Sequence, residues 1–79
     1  MQLPVTSPLI LGQALREARV QKGLSQAELG KLVNIAQTRI SLIERGGVTG
    51  NLDTILRITA ALDLEIVLQP KAKSPKTAW

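Results

Sequence analysis

The apolar positions change their period along the chain, and the changes divide it into elements. Leu11, Leu15 and Ala18, with Ala14 beside them, recur at helical spacing and form one packing stripe. Ser7 followed by Pro8 is a helix start, with serine as N-cap and proline at the first helical position, and Lys22-Gly23 closes the pattern. A second run begins at once. Ser25, with Glu28 three residues later, makes a capping box in which the hydroxyl and the carboxylate each satisfy the other residue's backbone N–H. Leu29, Leu32 and Val33 then give that helix an apolar face. Gly30 within it costs about 1 kcal/mol against alanine, which is understood if a neighbouring helix approaches closely there.

The next run starts after only a few residues, so the chain must turn sharply. Asn34 tolerates the left-handed conformation such a stop requires. With Ala36 as N-cap, Ile35 and Ile40 occupy the two positions of a hydrophobic staple. Alanine offers no capping oxygen, a deficit of roughly 1 kcal/mol, and the open N–H groups suit a phosphate oxygen. Ile40 and Ile43 face inward, while Gln37, Thr38, Ser41, Leu42 and Arg45 fall on the opposite side. An amide, two hydroxyls, a guanidinium and an exposed leucine match what base edges offer in a major groove, including the thymine methyl. Any surface helix also carries polar residues outside. The proportions of the pair, two short helices joined by a tight turn across residues 25–46, are what suggest a helix-turn-helix DNA reader around which the rest is arranged.

Gly46-Gly47 ends the second of these helices, and a loop through Val48, Thr49 and Gly50 follows. Asn51 can cap a fourth helix, with Asp53 complementing its dipole and Leu52, Ile55, Leu56, Thr59 and Leu62 as its inward stripe. At residues 64–69, LEIVLQ, the period falls to two: Leu64, Ile66 and Leu68 share one face, Glu65, Val67 and Gln69 the other. A lone strand cannot satisfy its own backbone groups. Pairing with the same strand of a second copy solves this, and a final helical turn with an extended tail is the alternative. The expected fold class is all-α with one C-terminal strand, a helix-turn-helix domain. It forms a homodimer through an intersubunit two-stranded sheet, with Leu64, Ile66, Val67 and Leu68 at the interface. A two-fold dimer sets its recognition helices roughly 34 Å apart, which calls for an inverted-repeat operator in double-stranded DNA. Residues 1–6 form an N-terminal arm, 7–69 the DNA-binding and dimerisation domain, and 70–79 a flexible basic tail.

Composition narrows the chemistry. The chain has 79 residues, with no cysteine and no histidine. A core of that size is near the lower limit of self-sufficiency, disulfides and common metal sites lack their ligands, and an enzyme lacks its usual base. No metal, no cofactor and no catalytic residue are expected. No apolar run approaches the roughly 20 residues that span a bilayer, and the N-terminus lacks a signal-peptide plan. The expected location is cytoplasmic, nucleoid-associated when bound to an operator. The net charge is +4, but Lys71, Lys73 and Lys76 lie in the last ten residues. The remainder is nearly neutral, so DNA binding rests on the motif and on local placement of Lys22, Lys31, Arg39 and Arg45. The tail ends in Trp79, the one aromatic residue, either incidental or an anchor for a partner pocket.

Residues 19–46, RVQKGLSQAELGKLVNIAQTRISLIERG, resemble the XRE (phage repressor/Cro-like) helix-turn-helix family in the QAEL run, the glutamine opening the recognition helix and the I-S-x-I-E-x-G ending. The resemblance implies that Gln26 and Gln37 cooperate at the DNA, that Gln37, Thr38 and Ser41 read bases, and that Ser25 and Arg45 lie near phosphates. It also implies a structural ion pair between Arg19 and Glu44. Asn34 and Ala36 depart from the family's usual glycine and hydroxyl residue. Over most of the chain, the Ser-Pro start, the LDLEIVL segment and the terminal tryptophan resemble the HipB-type antitoxins. Those repress their own toxin-antitoxin operon as dimers and neutralise a HipA-type serine/threonine kinase toxin. By that likeness Trp79 is toxin-binding and residues 66–68 lie at the dimer seam. A stand-alone repressor without a toxin, or an adaptor that has kept the fold without using DNA, are the competing functions.

Overall fold

The computed structural model describes residues 3–47 and 51–71. Four helices are present: α1 (Pro8–Gln21), α2 (Gln26–Val33), α3 (Gln37–Glu44) and α4 (Leu52–Ala61). Three begin on the expected caps. Ser7 accepts from the Ile10 N–H, Ser25 from Glu28 and Asn51 from Thr54, each satisfying a donor that has no partner within its helix. The Ser25–Glu28 capping box is complete, with the return bond from the Ser25 N–H to the Glu28 carboxylate at 2.8 Å. That N–H holds the exposed Glu28 carboxyl below the ordinary glutamate range, because it favours the charged form.

The core is one cluster of Leu15, Leu29, Val33, Ile35, Ile40, Ile43, Ile58 and Leu62. Helix α3 lies between α1 and α2, and α4 packs on α2. Two glycines let the helices close. A Cβ at Gly12 would fall against the Ile43 carbonyl oxygen and 2.7 Å from that of Glu44, so α1 meets the end of α3 backbone to backbone. A Cβ at Gly30 would lie 2.5 Å from the Ile35 carbonyl oxygen, which places the turn, rather than another helix, against it.

Three further expectations need correction. Leu32 is not part of the packing face of α2 and remains 65% exposed. The buried face runs through Leu29, Gly30 and Val33, and the close approach at Gly30 rotates it away from Leu32. In α4, Leu52 and Leu56 are likewise exposed, and the inward face centres on Ile58 with Thr54, Thr59 and Leu62. The Thr59 hydroxyl donates to the Leu56 carbonyl at 2.9 Å. Its polarity is met within the helix, so Thr59 keeps the inward place expected of it, whereas Thr54 and Ile58 take inward places that the apolar pattern gives to leucines. Finally, the described residues contain no β-strand. Residues 64–70, including Leu64, Ile66, Val67 and Leu68, carry no regular secondary structure and are exposed, Leu68 at 94%. A strand exists only through its ladder partner, and the described residues of the single chain form no ladder with this segment.

Candidate nucleic-acid interface

The turn between α2 and α3 is built as its residues suggest. Asn34 adopts the left-handed conformation, φ 59° and ψ 47°, and the Ile35 N–H donates to the Gly30 carbonyl at 2.9 Å. Ile35 and Ile40 are both buried, which fixes the angle at which the chain enters α3. Ala36 stands at the N-cap in extended conformation with no side-chain cap bond. From α4, the Arg57 guanidinium donates to the Val33 carbonyl at 3.0 Å, so the C-terminal end of α2 is held from a neighbouring helix. Nothing in the sequence pattern marks that bond, since the partners stand 24 residues apart.

Helix α3 buries Ile40, Ile43 and Glu44 and presents Gln37, Thr38, Arg39, Leu42 and Arg45 outward, with Ser41 half-buried at the edge of that face. Ala36 lies exposed at its start and Arg45 exposed at its C-cap. Ser25 is exposed at the start of α2, its hydroxyl oxygen accepting from the Glu28 N–H at 3.0 Å. Lys22 is drawn elsewhere. Its ammonium lies 2.7 Å from the Asp63 carboxylate beyond α4, so part of its charge is spent on an internal neighbour.

Behind the exposed face sits a buried polar cluster. The Glu44 carboxylate accepts from Arg19 Nε at 2.7 Å and Nη2 at 3.0 Å, a bidentate pair with both side chains almost wholly buried. The bond from Glu44 raises the affinity of the Arg19 guanidinium for its proton against the opposing effect of burial. Arg19 Nη1 also donates to the Leu24 carbonyl at 2.8 Å, tying the loop before α2. Gln26 joins the same carboxylate, its Nε2 donating to Glu44 Oε1 at 3.0 Å. The half-buried Gln26 is therefore engaged with the interior.

A short capped helix, a tight left-handed turn and a second helix with a polar outer face together make one motif, and the Helix-turn-helix family matches residues 15–69. The chain belongs to that family. It is a DNA-binding transcriptional regulator by that membership. Over 63 residues it is 44% identical to the uncharacterized HTH-type transcriptional regulator y4dL of Sinorhizobium fredii, covering 80% of this chain. The matched stretch spans only 32% of that relative's length. Over 75 residues it is 35% identical to antitoxin HipB of Escherichia coli (strain CFT073), covering 94% of this chain and 80% of the relative. The fold is similar to a chain in the solved HipA-HipB-O2-O3 complex, at a TM-score of 0.79 and 32% identity, over 91% of this chain and 100% of that one. No helix among the described residues is long and apolar enough to cross a membrane.

Proposed function

We propose that this helix-turn-helix protein is an antitoxin and autorepressor. As a homodimer it binds an inverted-repeat operator in its own promoter, and it neutralises a kinase toxin of the HipA type. The observation that carries this reading is the extent of the likeness to HipB, which runs over 94% of the chain and so reaches well beyond the DNA-reading motif that unrelated repressors share. In this reading Gln37, Thr38 and Ser41 meet base edges, Gln26 cooperates with Gln37, and Ser25, Ala36, Arg39 and Arg45 serve the motif at or near the phosphates. Leu64, Ile66, Val67 and Leu68 supply the dimer seam. Their exposure in the single chain supports that role, because an apolar alternating segment with no partner is a ready site for pairing with its own copy. Trp79, which lies outside the described residues, is the toxin anchor.

The likeness to y4dL favours a second reading, a stand-alone regulator in which the lysine tail adds only nonspecific phosphate contacts. Deleting residues 70–79 separates the two. As an antitoxin, the truncated protein keeps its operator affinity within about threefold and loses capture of the kinase encoded beside it. As a stand-alone regulator, it loses affinity and its salt dependence becomes shallower by up to about three ion equivalents, one for each lysine removed. Operator selection from a randomised duplex pool, salt titrations and co-purification with the neighbouring gene product give the three readouts.

A further inference from the structure

At the Glu44 carboxylate three helices meet through polar groups. It is the last residue of α3, it takes two bonds from Arg19 of α1, and it takes a third from Gln26, the first residue of α2. A carboxylate only accepts, so the Gln26 amide must turn its NH₂ toward Glu44 and its oxygen away. Helix α2 is otherwise pinned at its far end, where Arg57 holds the Val33 carbonyl. Without the Gln26 bond, α1 and α3 stay tied through Arg19, and the start of α2 keeps only the indirect hold of Arg19 on the Leu24 carbonyl in the loop before it, losing its direct bond to α3.

We propose that Gln26 is a positioning residue for base discrimination: through Glu44 it fixes the angle between α2 and α3, and so places the outer face of α3 in the groove. The proposal rests on the reading that α3 meets base edges. Bidentate base contacts tolerate little displacement, whereas flexible lysine and arginine side chains follow a phosphate over a wider range. Loss of the bond therefore lowers the preference for the operator far more than it lowers affinity for DNA in general. This role acts through Glu44 and is distinct from any contact that Gln26 makes with the duplex, since one N–H of its amide is engaged inward.

The test compares dissociation constants for a duplex selected from a randomised pool and for a scrambled duplex of the same composition, at one salt concentration. Gln26→Ala lowers the ratio of the two by about tenfold, the scale of one good base contact, and changes the scrambled duplex by less than about threefold. Gln26→Lys keeps a donor for Glu44 and restores the ratio to within about threefold of the native protein. Its added charge acts on both duplexes and cancels in the ratio. Should Gln26→Lys discriminate as poorly as Gln26→Ala, the amide itself reads the DNA and the positioning role is overturned. An unchanged ratio in Gln26→Ala overturns it as well. A native protein that prefers no duplex removes the base-reading function itself, a failure distinct from either of these.

Discussion

Arg19 and Glu44 show how much a single pair can carry in a small domain. With Arg19 gone, the Glu44 carboxylate would stay buried between α1 and α3 with only the Gln26 amide facing it, and the Leu24 carbonyl would lose its donor. Breaking a buried pair by removing one partner costs about 3–5 kcal/mol, comparable to the whole stability of a domain this size. Arg19→Met is therefore expected to abolish the urea transition at 25 °C and to reduce the helical circular dichroism signal. Arg19→Met combined with Glu44→Leu should recover a measurable transition, because the stranded charge is removed together with its partner. Gly12 and Gly30 act at the same scale. Each admits a carbonyl where a methyl group would collide, and this fixes which side of its helix is buried.

At the level of elements, α3 is the weak member by design of its ends. It has eight residues, an alanine N-cap with no side-chain bond, no acid in its first turn and no base in its last. What holds it is the staple of Ile35 and Ile40 and the tether of Glu44. Ala36→Ser should raise stability by about 1 kcal/mol, since the site already has the extended conformation a capping serine uses. Thermal denaturation measures it, and an unchanged or lowered midpoint would show that the open N–H groups are met in another way. The same helix was readable in sequence because its staple, its turn residue and its two inward isoleucines agree with one another. Helix α4 was less readable. Thr59 is inward as expected, but Thr54 and Ile58 take inward places there and Leu52 and Leu56 do not, because apolar period alone cannot separate a satisfied hydroxyl from an exposed methyl.

For the whole molecule, the exposed apolar surface is the feature that asks for a partner. Leu64, Ile66, Val67 and Leu68 follow α4, whose own Leu52 and Leu56 are also exposed. If this segment pairs with a second copy, sedimentation equilibrium gives a mass of twice 8.5 kDa. Ile66→Lys with Leu68→Lys then gives the single-chain mass with the helical signal retained, and operator affinity falls because one reading head binds alone. A native protein that sediments as a monomer at micromolar concentration would remove both the dimer and the inverted repeat from the proposed function.

The sequence by itself determined the helix boundaries, the caps, the left-handed turn at Asn34 and the outward set on α3. Each depends on residues within about one helical turn of one another, and local chemistry decides it. Tertiary structure alone decided that Leu32, Leu52 and Leu56 stay outside, that Ile58 stands at the centre of its face, and that Gln26, Arg57 and Lys22 turn toward Glu44, Val33 and Asp63. Those outcomes join groups 18 to 41 residues apart, and no periodicity along the chain encodes which helix will arrive to meet them.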